Sequence, residues 1–383
     1  MSTKTADFTI IGGGIAGLAT AIALHQKGFQ AELFEAAPEI RAVGAGISLA
    51  PNAALALRKL GLEETIAREG RLLPGMSIRQ ANGRVITRAD GRQIAQRYGA
   101  AHYAIHRAAL HQALLAKLPG TPMATGKRAI GIRRESGVAV ARFEDGSEHE
   151  ARALILADGI HSPTRQQLMT GSTSRYAGYT CWRAVIEYDG PLIEEATETW
   201  GPSGRFGIVP LKGRQVYWFA CITSPADNAR YKRFTTEDLY AQFQGYHTPI
   251  PEIIRQTPDA ALLWNDIIDL KPIHQFAFGN IVLTGDAAHA TTPNMGQGAC
   301  QALEDAVVLA DEAARCSSPE EAFRQFELRR MERAHYVVKR SWSIGRIAQA
   351  QNPLLGALRN ALFRLAPSSA AEKPLKYLYE VDF

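Results

Sequence analysis

The stretch Phe8-Thr-Ile-Ile-Gly-Gly-Gly-Ile-Ala-Gly17 decides the fold of this chain. An apolar run that predicts a buried strand leads into a G-x-G-x-x-G loop, and a helical pattern follows. In such a loop Gly12 permits a tight turn, Gly14 admits a pyrophosphate to the helix N-terminus, and Gly17 lets the helix pack on the strand. The sequence therefore predicts a dinucleotide-binding strand–loop–helix unit at its start.

The next apolar run, Ala31-Glu-Leu-Phe-Glu35, ends in an acidic residue about 20 residues past the glycine loop. At that distance Glu35 can accept a hydrogen bond from a ribose 2′-hydroxyl. A bare G-x-G-x-x-G motif is weak evidence, because glycine loops also serve packing alone. The order of strand, loop, helix, strand and acid favours an adenine dinucleotide site.

A second segment indicates which dinucleotide is bound. Gly285-Asp-Ala-Ala-His-Ala-Thr-Thr-Pro-Asn-Met-Gly-Gln-Gly298 links an apolar run to a helical pattern. Asp286 can accept from a ribitol hydroxyl, while Gly296 and Gly298 let backbone N–H groups approach a flat ring at a helix N-terminus. Pro293 has no N–H, and the turn that follows suits a ring carrying negative charge. These features favour a flavin, although a plain strand–turn–helix link is the alternative.

Two further residues lie where a strand or a turn enters a helical pattern. Asp158 follows the apolar run 153–157 and precedes another helical pattern. Arg107 lies near the start of the helical pattern 105–115, where an arginine could reach a pyrophosphate. A surface salt bridge is the open alternative for Arg107.

Composition agrees with a globular enzyme. Of the 383 residues, 46% are hydrophobic and 33 are glycines, which excludes a disordered or low-complexity chain and favours two domains. The net charge of +5 is scattered, so we expect no nucleic-acid partner. The cysteines show neither metal-ligand nor C-x-x-C spacing, and we expect no metal site. They are Cys181, Cys221, Cys300 and Cys316.

The start of the chain, residues 1–7, is polar and runs straight into the first strand, which leaves no room for a signal peptide. No apolar run approaches the length of a bilayer span. We therefore expect a cytoplasmic protein without a stable membrane anchor, as a monomer or a homodimer.

The predicted secondary structure changes between residues 173 and 276, where strands rich in aromatic and β-branched residues replace the α/β pattern. Because glycine motifs resume at Gly285, the chain leaves the dinucleotide domain, builds a sheet and returns. We predict an α/β fold: a discontinuous Rossmann-like domain, an inserted mixed β-sheet substrate domain and a C-terminal helical extension. The predicted boundaries are 1–72, 100–172 and 277–335 for the first, 73–99 and 173–276 for the second, and 336–383 for the extension.

Together, Gly12 to Gly17, Asp158-Gly159 and Gly285-Asp286 resemble the FAD-dependent aromatic hydroxylases, single-component flavoprotein monooxygenases typified by para-hydroxybenzoate hydroxylase. The resemblance covers nearly the whole chain and implies FAD as cofactor. It also implies NADH or NADPH as a transient electron donor without its own domain, which fits the lack of a second G-x-G-x-x-G.

The activity implied by the resemblance is insertion of one oxygen atom of O₂ into an aromatic or heteroaromatic substrate through a flavin C4a-hydroperoxide. Epoxidation of a polyene is the nearest variant. An oxygen-independent FAD reductase or dehydrogenase of the same fold is a second candidate, and a flavin-binding redox sensor is a third.

The resemblance further implies cofactor contacts. It gives the AMP half of FAD to the first glycine motif and Glu35, the ribitol side to Asp286, and the pyrophosphate region to Asp158. A loop from Arg41 through Gly44-Ala-Gly-Ile-Ser48 is expected to run along the flavin, although its glycines also fit a plain turn. The expected cofactor residues are Gly12, Gly14, Ile15, Ala16, Gly17, Glu35, Ala36, Arg41, Gly46, Ser48, Arg107, Asp158, Asp286, Pro293, Gly296, Gln297 and Gly298.

In this family the sheet domain covers the reactive face of the flavin, so polar residues on its strands are candidates to face the substrate: Arg183, Arg205 and Tyr217, with Asn294 from the flavin loop. Arg205 and Tyr217 lie on neighbouring predicted strands that could bring them together. Such a pair resembles the arrangement in bacterial FAD-dependent urate hydroxylases. A surface arginine and a core tyrosine are the alternative.

One position departs from the urate hydroxylase pattern. Those enzymes carry an aspartate after the proline of the flavin loop, whereas this chain has Asn294, as the zeaxanthin epoxidases do. An amide cannot act as a carboxylate base, so urate is in doubt as the substrate.

The C-terminal stretch from Trp342 to Phe383 combines arginines with leucines at helical spacing. Such a basic amphipathic face fits either a membrane surface or docking across two domains, and we expect the commoner docking. The leucines are Leu354, Leu355, Leu358, Leu362 and Leu365.

Overall fold

The computed structural model describes residues 6–39, 44–135, 137–350, 352–365 and 369–383. Within these ranges the strands are β1 (Phe8–Ile11), β2 (Ala31–Phe34), β3 (Gly46–Leu49), β4 (Arg71–Leu72), β5 (Gly75–Gln80), β6 (Val85–Asp90), β7 (Tyr103–His106), β8 (Met123–Ala124), β9 (Ala129–Glu135), β10 (Val138–Phe143), β11 (Glu148–Ala151), β12 (Leu154–Leu156), β13 (Ser174–Glu187), β14 (Ala196–Gly201), β15 (Gly204–Pro210), β16 (Gln215–Thr223), β17 (Leu263–Leu270), β18 (Ala277–Phe278) and β19 (Ile281–Leu283).

The helices in the same ranges are α1 (Ile15–Gln26), α2 (Pro51–Lys59), α3 (Glu63–Glu69), α4 (Gly91–Tyr98), α5 (Arg107–Leu115), α6 (Pro163–Leu168), α7 (Thr236–Phe243), α8 (Ile250–Arg255), α9 (Asp286–His289), α10 (Gly298–Arg315), α11 (Pro319–Ala348), α12 (Pro353–Leu365) and α13 (Ser369–Tyr379).

A six-stranded sheet in the order β18-β19-β12-β1-β2-β8 carries the glycine motifs. Its pairs are parallel except for β18 with β19. Parallel strands need helices on both faces, and their residues read as continuous apolar runs for that reason. Ile10, Ile155 and Val282, one from each of three neighbouring strands, are fully buried. Two small antiparallel sheets, β11-β10-β9 and β3-β7-β4, flank it.

A seven-stranded sheet in the order β17-β13-β16-β15-β14-β5-β6 forms the second layer. The hairpin β5–β6 from the first quarter of the chain joins strands that come after residue 173, through a parallel pairing of β5 with β14. One face of this sheet buries Trp182, Phe206 and Trp218 against α7 and α8. The predicted fold class, an α/β chain with an inserted mixed sheet, is confirmed.

The C-terminal region begins with the long helix α11, whose start is fixed by Ser318: its side chain accepts a hydrogen bond from the backbone N–H of Glu321. At the other end Leu378 and Tyr379 of α13 are buried in the main core. Among the described residues, no helix has both the length and the apolar character needed to cross a bilayer.

The leucine-rich segment was expected to dock on the rest of the protein through its apolar side. Helix α12 does dock, but its leucines do not form the contact. Helix α12 contacts the seven-stranded sheet and the end of α11 through the side that carries Arg359 and Phe363. Its leucines lie on the opposite side and are exposed. The physical reason is that the aromatic and arginine side chains, and not the leucines, find partners in the sheet.

Candidate active site

The three sequence motifs meet at one edge of the six-stranded sheet. Strands β1, β12 and β19 are parallel neighbours, with Ile11 beside Leu156 and Leu156 beside Leu283. Each motif starts directly after its strand, so all three lie at the carboxyl ends of the strands. Ligands of open α/β sheets bind at this edge.

The first glycine motif has the geometry that the sequence predicts. Gly12 has φ of +110°, and a Cβ there would lie 2.3 Å from the carbonyl oxygen of Ala157. A Cβ at Gly17 would lie 1.9 Å from the Gly12 oxygen, so only glycine lets α1 pack this closely. A Cβ at Gly14 would meet nothing within 4 Å. The space in front of the N-terminus of α1 is therefore open.

Glu35 is tied to the backbone around it. Its carboxylate accepts from the N–H of Gly13 at 2.6 Å and from the N–H of Ala37 at 2.7 Å. The side chain of His111 lies 2.8 Å from the Gly13 oxygen and fixes the same loop, a contact that no sequence motif indicates. Ala36, next to Glu35, is partly exposed.

Asp286 begins α9, and its side chain is exposed. Surrounding protein atoms displace water and raise its pKa, and the charges of His289 and Arg107 oppose that rise. Its side chain receives no hydrogen bond from the described residues. A Cβ at Gly285 would lie 2.7 Å from the Cβ of Ala16, which places this loop against the first turn of α1.

Arg107 is the first residue of α5, because the preceding residues pair as β7 with β3 and do not continue the predicted helix. Its side chain is exposed, and its Cδ would lie 2.9 Å from a Cβ at Gly44. Arg107 forms no ion pair within the described ranges. The expected contact Arg41 lies outside the described residues.

Asp158 has one engaged and one free carboxylate oxygen. Its Oδ2 accepts from the Thr164 hydroxyl at 2.8 Å, whereas its buried Oδ1 has no partner among the described residues. Burial raises the pKa of this carboxyl, and hydrogen bonds from Ser162 and Thr164 oppose that effect. A buried oxygen without a partner is costly in a protein and calls for a ligand group or water.

The loop before α10 forms a wall beside β3. Gly296 has φ of +63°, and its missing Cβ would lie 3.6 Å from the Cβ of Ser48. Pro293 is exposed, whereas the side chain of Gln297 is buried and accepts from Asn52 at 2.9 Å. Gln297 and Gly298 therefore offer only backbone groups to a ligand. Ile15, at the start of α1, is buried in the core.

A buried ionic network beneath this loop has no signal in local sequence motifs. Asp305 and Glu304 of α10 accept from Arg330 at 2.7 and 2.5 Å, and Arg333 donates to Glu304 at 2.6 Å. Arg333 also donates to the backbone of Leu378 in α13 at 2.6 Å. The network thus joins α10, α11 and the C-terminus. It borders a cavity of about 550 Å³ under the C-terminal residues, and Glu304 of its lining connects through Asn52 to Gln297 of this loop.

The strand register separates two residues that were expected to meet. Arg205 lies opposite Cys221 and Tyr217 lies opposite Val209, on the same face of the sheet but four positions apart. At the rise of a β-strand this is about 13 Å. The expectation that Arg205 and Tyr217 form a pair is wrong, because adjacent strands fix neighbours only through their register.

Arg205 and Asn294 are already engaged by protein groups. Arg205 is buried, donates to Glu198 at 3.0 Å and to Gln349 at 3.1 Å, and lies over the Tyr179 ring. Asn294 accepts from the Tyr179 hydroxyl at 3.0 Å and donates to the Thr292 hydroxyl and the Ser341 carbonyl. Both side chains connect the sheet, the loop before α10 and the end of α11.

Arg183 and Tyr217 lie on the face of the seven-stranded sheet that packs toward β3. Each has a polar group without a hydrogen-bond partner among the described residues. Arg183 donates to Asn265 at 2.5 Å, but its buried Nε has no partner, and no described carboxylate pairs with it. Tyr217 packs on Gly46, where a Cβ would lie 2.5 Å from its ring, and its hydroxyl bonds to no described group. Burial raises the pKa of Tyr217, so the hydroxyl stays protonated at neutral pH.

Known proteins are similar to this chain over most of its length. The FAD binding domain family matches residues 5–341. The chain belongs to this family and is an FAD-dependent monooxygenase of the aromatic hydroxylase type. Aurachin C monooxygenase/isomerase of Stigmatella aurantiaca is 39% identical over 368 residues, 95% of each chain. The 2-heptyl-3-hydroxy-4(1H)-quinolone synthase of Pseudomonas aeruginosa is 34% identical over 373 residues, 95% of each chain.

A solved structure agrees with the fold of this monooxygenase. HpxO of Klebsiella pneumoniae, crystallised with FAD and uric acid, superposes with a TM-score of 0.89 at 28% identity and covers 97% of this chain and 96% of its own. The predictions of FAD as cofactor and of a monooxygenase are confirmed. An epoxidase and an oxygen-independent reductase are not favoured. The described residues contain no group of three or more potential metal ligands.

Proposed function

We propose that FAD lies across the carboxyl ends of β1, β12 and β19. The support is space and free polar groups: the open front of Gly14, the unpartnered Oδ1 of Asp158 and the unpartnered carboxylate of Asp286. The helix N-terminus behind Gly14 suits the pyrophosphate, with Arg107 nearby as its countercharge. In this proposal Asp286 accepts a hydrogen bond from a ribitol hydroxyl, and Asp158 lies beside the pyrophosphate region.

Bound FAD supplies the redox and oxygen-transfer chemistry, with NADH or NADPH as the electron donor. The chain must hold the ring, stabilise negative charge on it and keep water away. In this proposal the backbone N–H groups at the start of α10 face the ring, because the first N–H groups of a helix have no partner within it. The loop before α10 and strand β3 form the two walls of the proposed ring site, and they approach each other at Gly296 and Ser48.

We further propose that the substrate is an electron-rich heteroaromatic ring that carries an exocyclic oxygen able to ionise. The single observation that carries this proposal is Arg183: a cation without a carboxylate partner among the described residues, with a buried and unpartnered Nε. Such a group binds an anionic or strongly polarised oxygen. Tyr217, kept protonated, donates to the same class of oxygen. A negative oxygen on the ring also raises electron density at the carbon that is hydroxylated.

The remaining surface around this arginine favours a substrate with an apolar substituent. Its neighbours on the same sheet face are Val185, Phe219 and the thiols Cys181 and Cys221. Urate is polar on all edges and needs many hydrogen-bond partners. Arg205 and Asn294 already form hydrogen bonds with other protein groups, so they do not supply those partners. An alkylated 4-quinolone ring, the ring class named in the product of the Pseudomonas relative, fits these contacts better than urate or a benzoate.

The test is a comparison of ring substrates under ¹⁸O₂. Alkyl-4-quinolones, urate and hydroxybenzoates are incubated with the FAD-loaded enzyme and NADH or NADPH, and the label in each product is measured. We expect labelled product and the highest kcat/KM with the alkylquinolones. A higher kcat/KM with urate or a hydroxybenzoate would show that the substrate assignment is wrong.

A variant tests the role of the arginine. Loss of a charge-assisted hydrogen bond corresponds to roughly a 10- to 100-fold fall in kcat/KM, so Arg183→Met should show a loss of this size, mostly through KM. The matched control is Arg214→Met, which removes an exposed arginine that donates to the Gly190 carbonyl. Equal kinetics of the two variants would contradict the assignment.

A further inference from the structure

Helix α12 carries a contiguous apolar surface that no described residue covers, which we name the leucine face. It consists of Leu354, Leu355, Leu358, Leu362 and Leu365, exposed by 81, 59, 58, 61 and 82%. Single exposed leucines are ordinary, but a contiguous group on one helix marks an interaction surface. The spacing of these residues along 13 residues of helix puts them on one side.

The opposite side of α12 holds the helix in place. The Arg359 guanidinium lies 4.5 Å from the centre of the Trp200 ring, and Phe363 meets the same ring edge-on at 5.7 Å. Arg359 also donates to the carbonyls of Ile347 and Ala348 at the end of α11. The leucine face therefore points outward on a fixed helix.

The segment of the chain that carries the leucine face is basic. No acidic residue occurs between Glu332 and Glu372, although 38 of the 383 residues are acidic. The same interval contains six basic residues, of which Lys339, Arg340, Arg346 and Arg364 are exposed. An apolar helix face in a basic, acid-free segment matches the boundary between headgroups and acyl chains of an anionic membrane.

We propose that the leucine face docks on an anionic lipid membrane, with α12 lying in the plane of the interface. A second copy of the chain is a poorer partner, because a symmetric contact would place two acid-free basic regions against each other. This binding does not depend on which ring the enzyme hydroxylates.

Docking there would hold the substrate side of the enzyme against the bilayer. Trp200, which α12 covers, donates to Glu198 at 2.8 Å, and Glu198 is the ion-pair partner of Arg205 on the sheet face described above. The membrane-bound helix is thus two side chains away from that face. An apolar substrate could then pass from the lipid to the site without crossing water.

The experiment is sedimentation of the FAD-loaded full chain with vesicles. Vesicles of equal parts phosphatidylglycerol and phosphatidylcholine are compared with vesicles of phosphatidylcholine alone. We expect binding to the anionic vesicles that weakens when the ionic strength rises from about 0.1 M to about 1 M, since this shortens the Debye length from about 10 to about 3 Å. The variant Leu354→Ser/Leu358→Ser/Leu362→Ser should lose binding by a factor on the order of a hundred.

The matched control is Leu192→Ser/Leu328→Ser, which removes two leucines exposed by 57 and 68% outside α12 and should leave vesicle binding unchanged. Retained FAD absorbance shows that each variant is folded. Absence of the native protein from anionic vesicles overturns the proposal. So does a concentration-dependent dimer that the α12 variant abolishes in the absence of vesicle binding, because the leucine face would then belong to a second copy.

Discussion

The Nε2 atom of His289 lies 2.6 Å from Oδ2 of Asp305, directly beneath the loop that carries Asp286. The same oxygen accepts from the backbone N–H of Gly285 at 3.0 Å and from the Thr284 hydroxyl at 3.1 Å. One buried carboxylate of α10 thus fixes the end of β19, the glycine turn and α9. The position of Asp286 depends on a residue that a cofactor need not touch.

Replacement of Asp305 by Asn should weaken both the fold and FAD binding. Burial alone would raise the pKa of Asp305, but the charges of His289 and Arg330 hold it well below the usual range. Breaking a buried pair costs about 3–5 kcal/mol, so the free energy of unfolding of Asp305→Asn should fall by that amount. Denaturant unfolding and FAD retention on gel filtration measure the two effects.

The control for Asp305→Asn is Asp311→Asn on the same helix, which loses only an ion pair with the partly exposed Lys27. In the native protein the ionised Asp305 contributes to the free energy of unfolding at pH values above the usual pKa of an aspartate. This contribution is lost as the pH falls through the lowered pKa of Asp305. Unchanged stability of Asp305→Asn would contradict the positioning role.

Asp286→Asn should bind FAD more weakly while its apoprotein becomes more stable. The amide keeps the size of the side chain but is a weaker acceptor, and the loss corresponds to roughly a 10- to 100-fold weaker binding. Because the folded-state pKa of Asp286 is raised, the native apoprotein loses stability as the pH rises from the usual aspartate pKa through the raised value. The stability of the Asp286→Asn apoprotein should not fall over this pH range.

Thermal unfolding of the two apoproteins across this pH range tests the prediction for Asp286, with fluorescence titration of FAD for the affinity. A variant that binds FAD as tightly as the native protein would remove Asp286 from the cofactor site. An apoprotein that becomes less stable would show that the surrounding protein atoms do not disfavour the charged carboxylate.

Two glycines of the first motif should fail in different ways. Gly14→Ala places a methyl group in open space at a backbone conformation that alanine accepts, so the protein should fold and lose FAD affinity. Gly17→Ala places a methyl group 1.9 Å from the Gly12 oxygen and should destabilise the fold by about 1–3 kcal/mol or more. Far-UV circular dichroism and FAD titration distinguish them; loss of folding in Gly14→Ala would place protein atoms, and not the pyrophosphate, in that space.

Arg205→Met should destabilise the protein more than it impairs substrate binding. The substitution leaves Glu198 without its cation in a mostly buried position, at a cost of about 3–5 kcal/mol, and Arg205→Met/Glu198→Gln should recover part of it. Melting temperatures of the single and double variants measure this. A single variant of native stability that no longer responds to substrate would restore the substrate role expected from the sequence.

The sequence alone determined that the three motifs meet at one edge of the six-stranded sheet. A glycine motif after a buried strand has few structural solutions, since the φ of Gly12 and the close packing at Gly17 exclude other residues. The order of strands and helices around Asp158 and Asp286 then placed these motifs on one sheet. Local periodicity and glycine stereochemistry carry this information along a few residues at a time.

Only the tertiary structure decided the substrate side. Strand register placed Arg205 four positions from Tyr217, and long-range contacts assigned Arg205 to Glu198 and Asn294 to Tyr179. The sequence likewise predicted an amphipathic α12 but not which side would be covered, because Trp200 is far away in the chain. Register and partner choice depend on residues distant in sequence, and no local pattern encodes them.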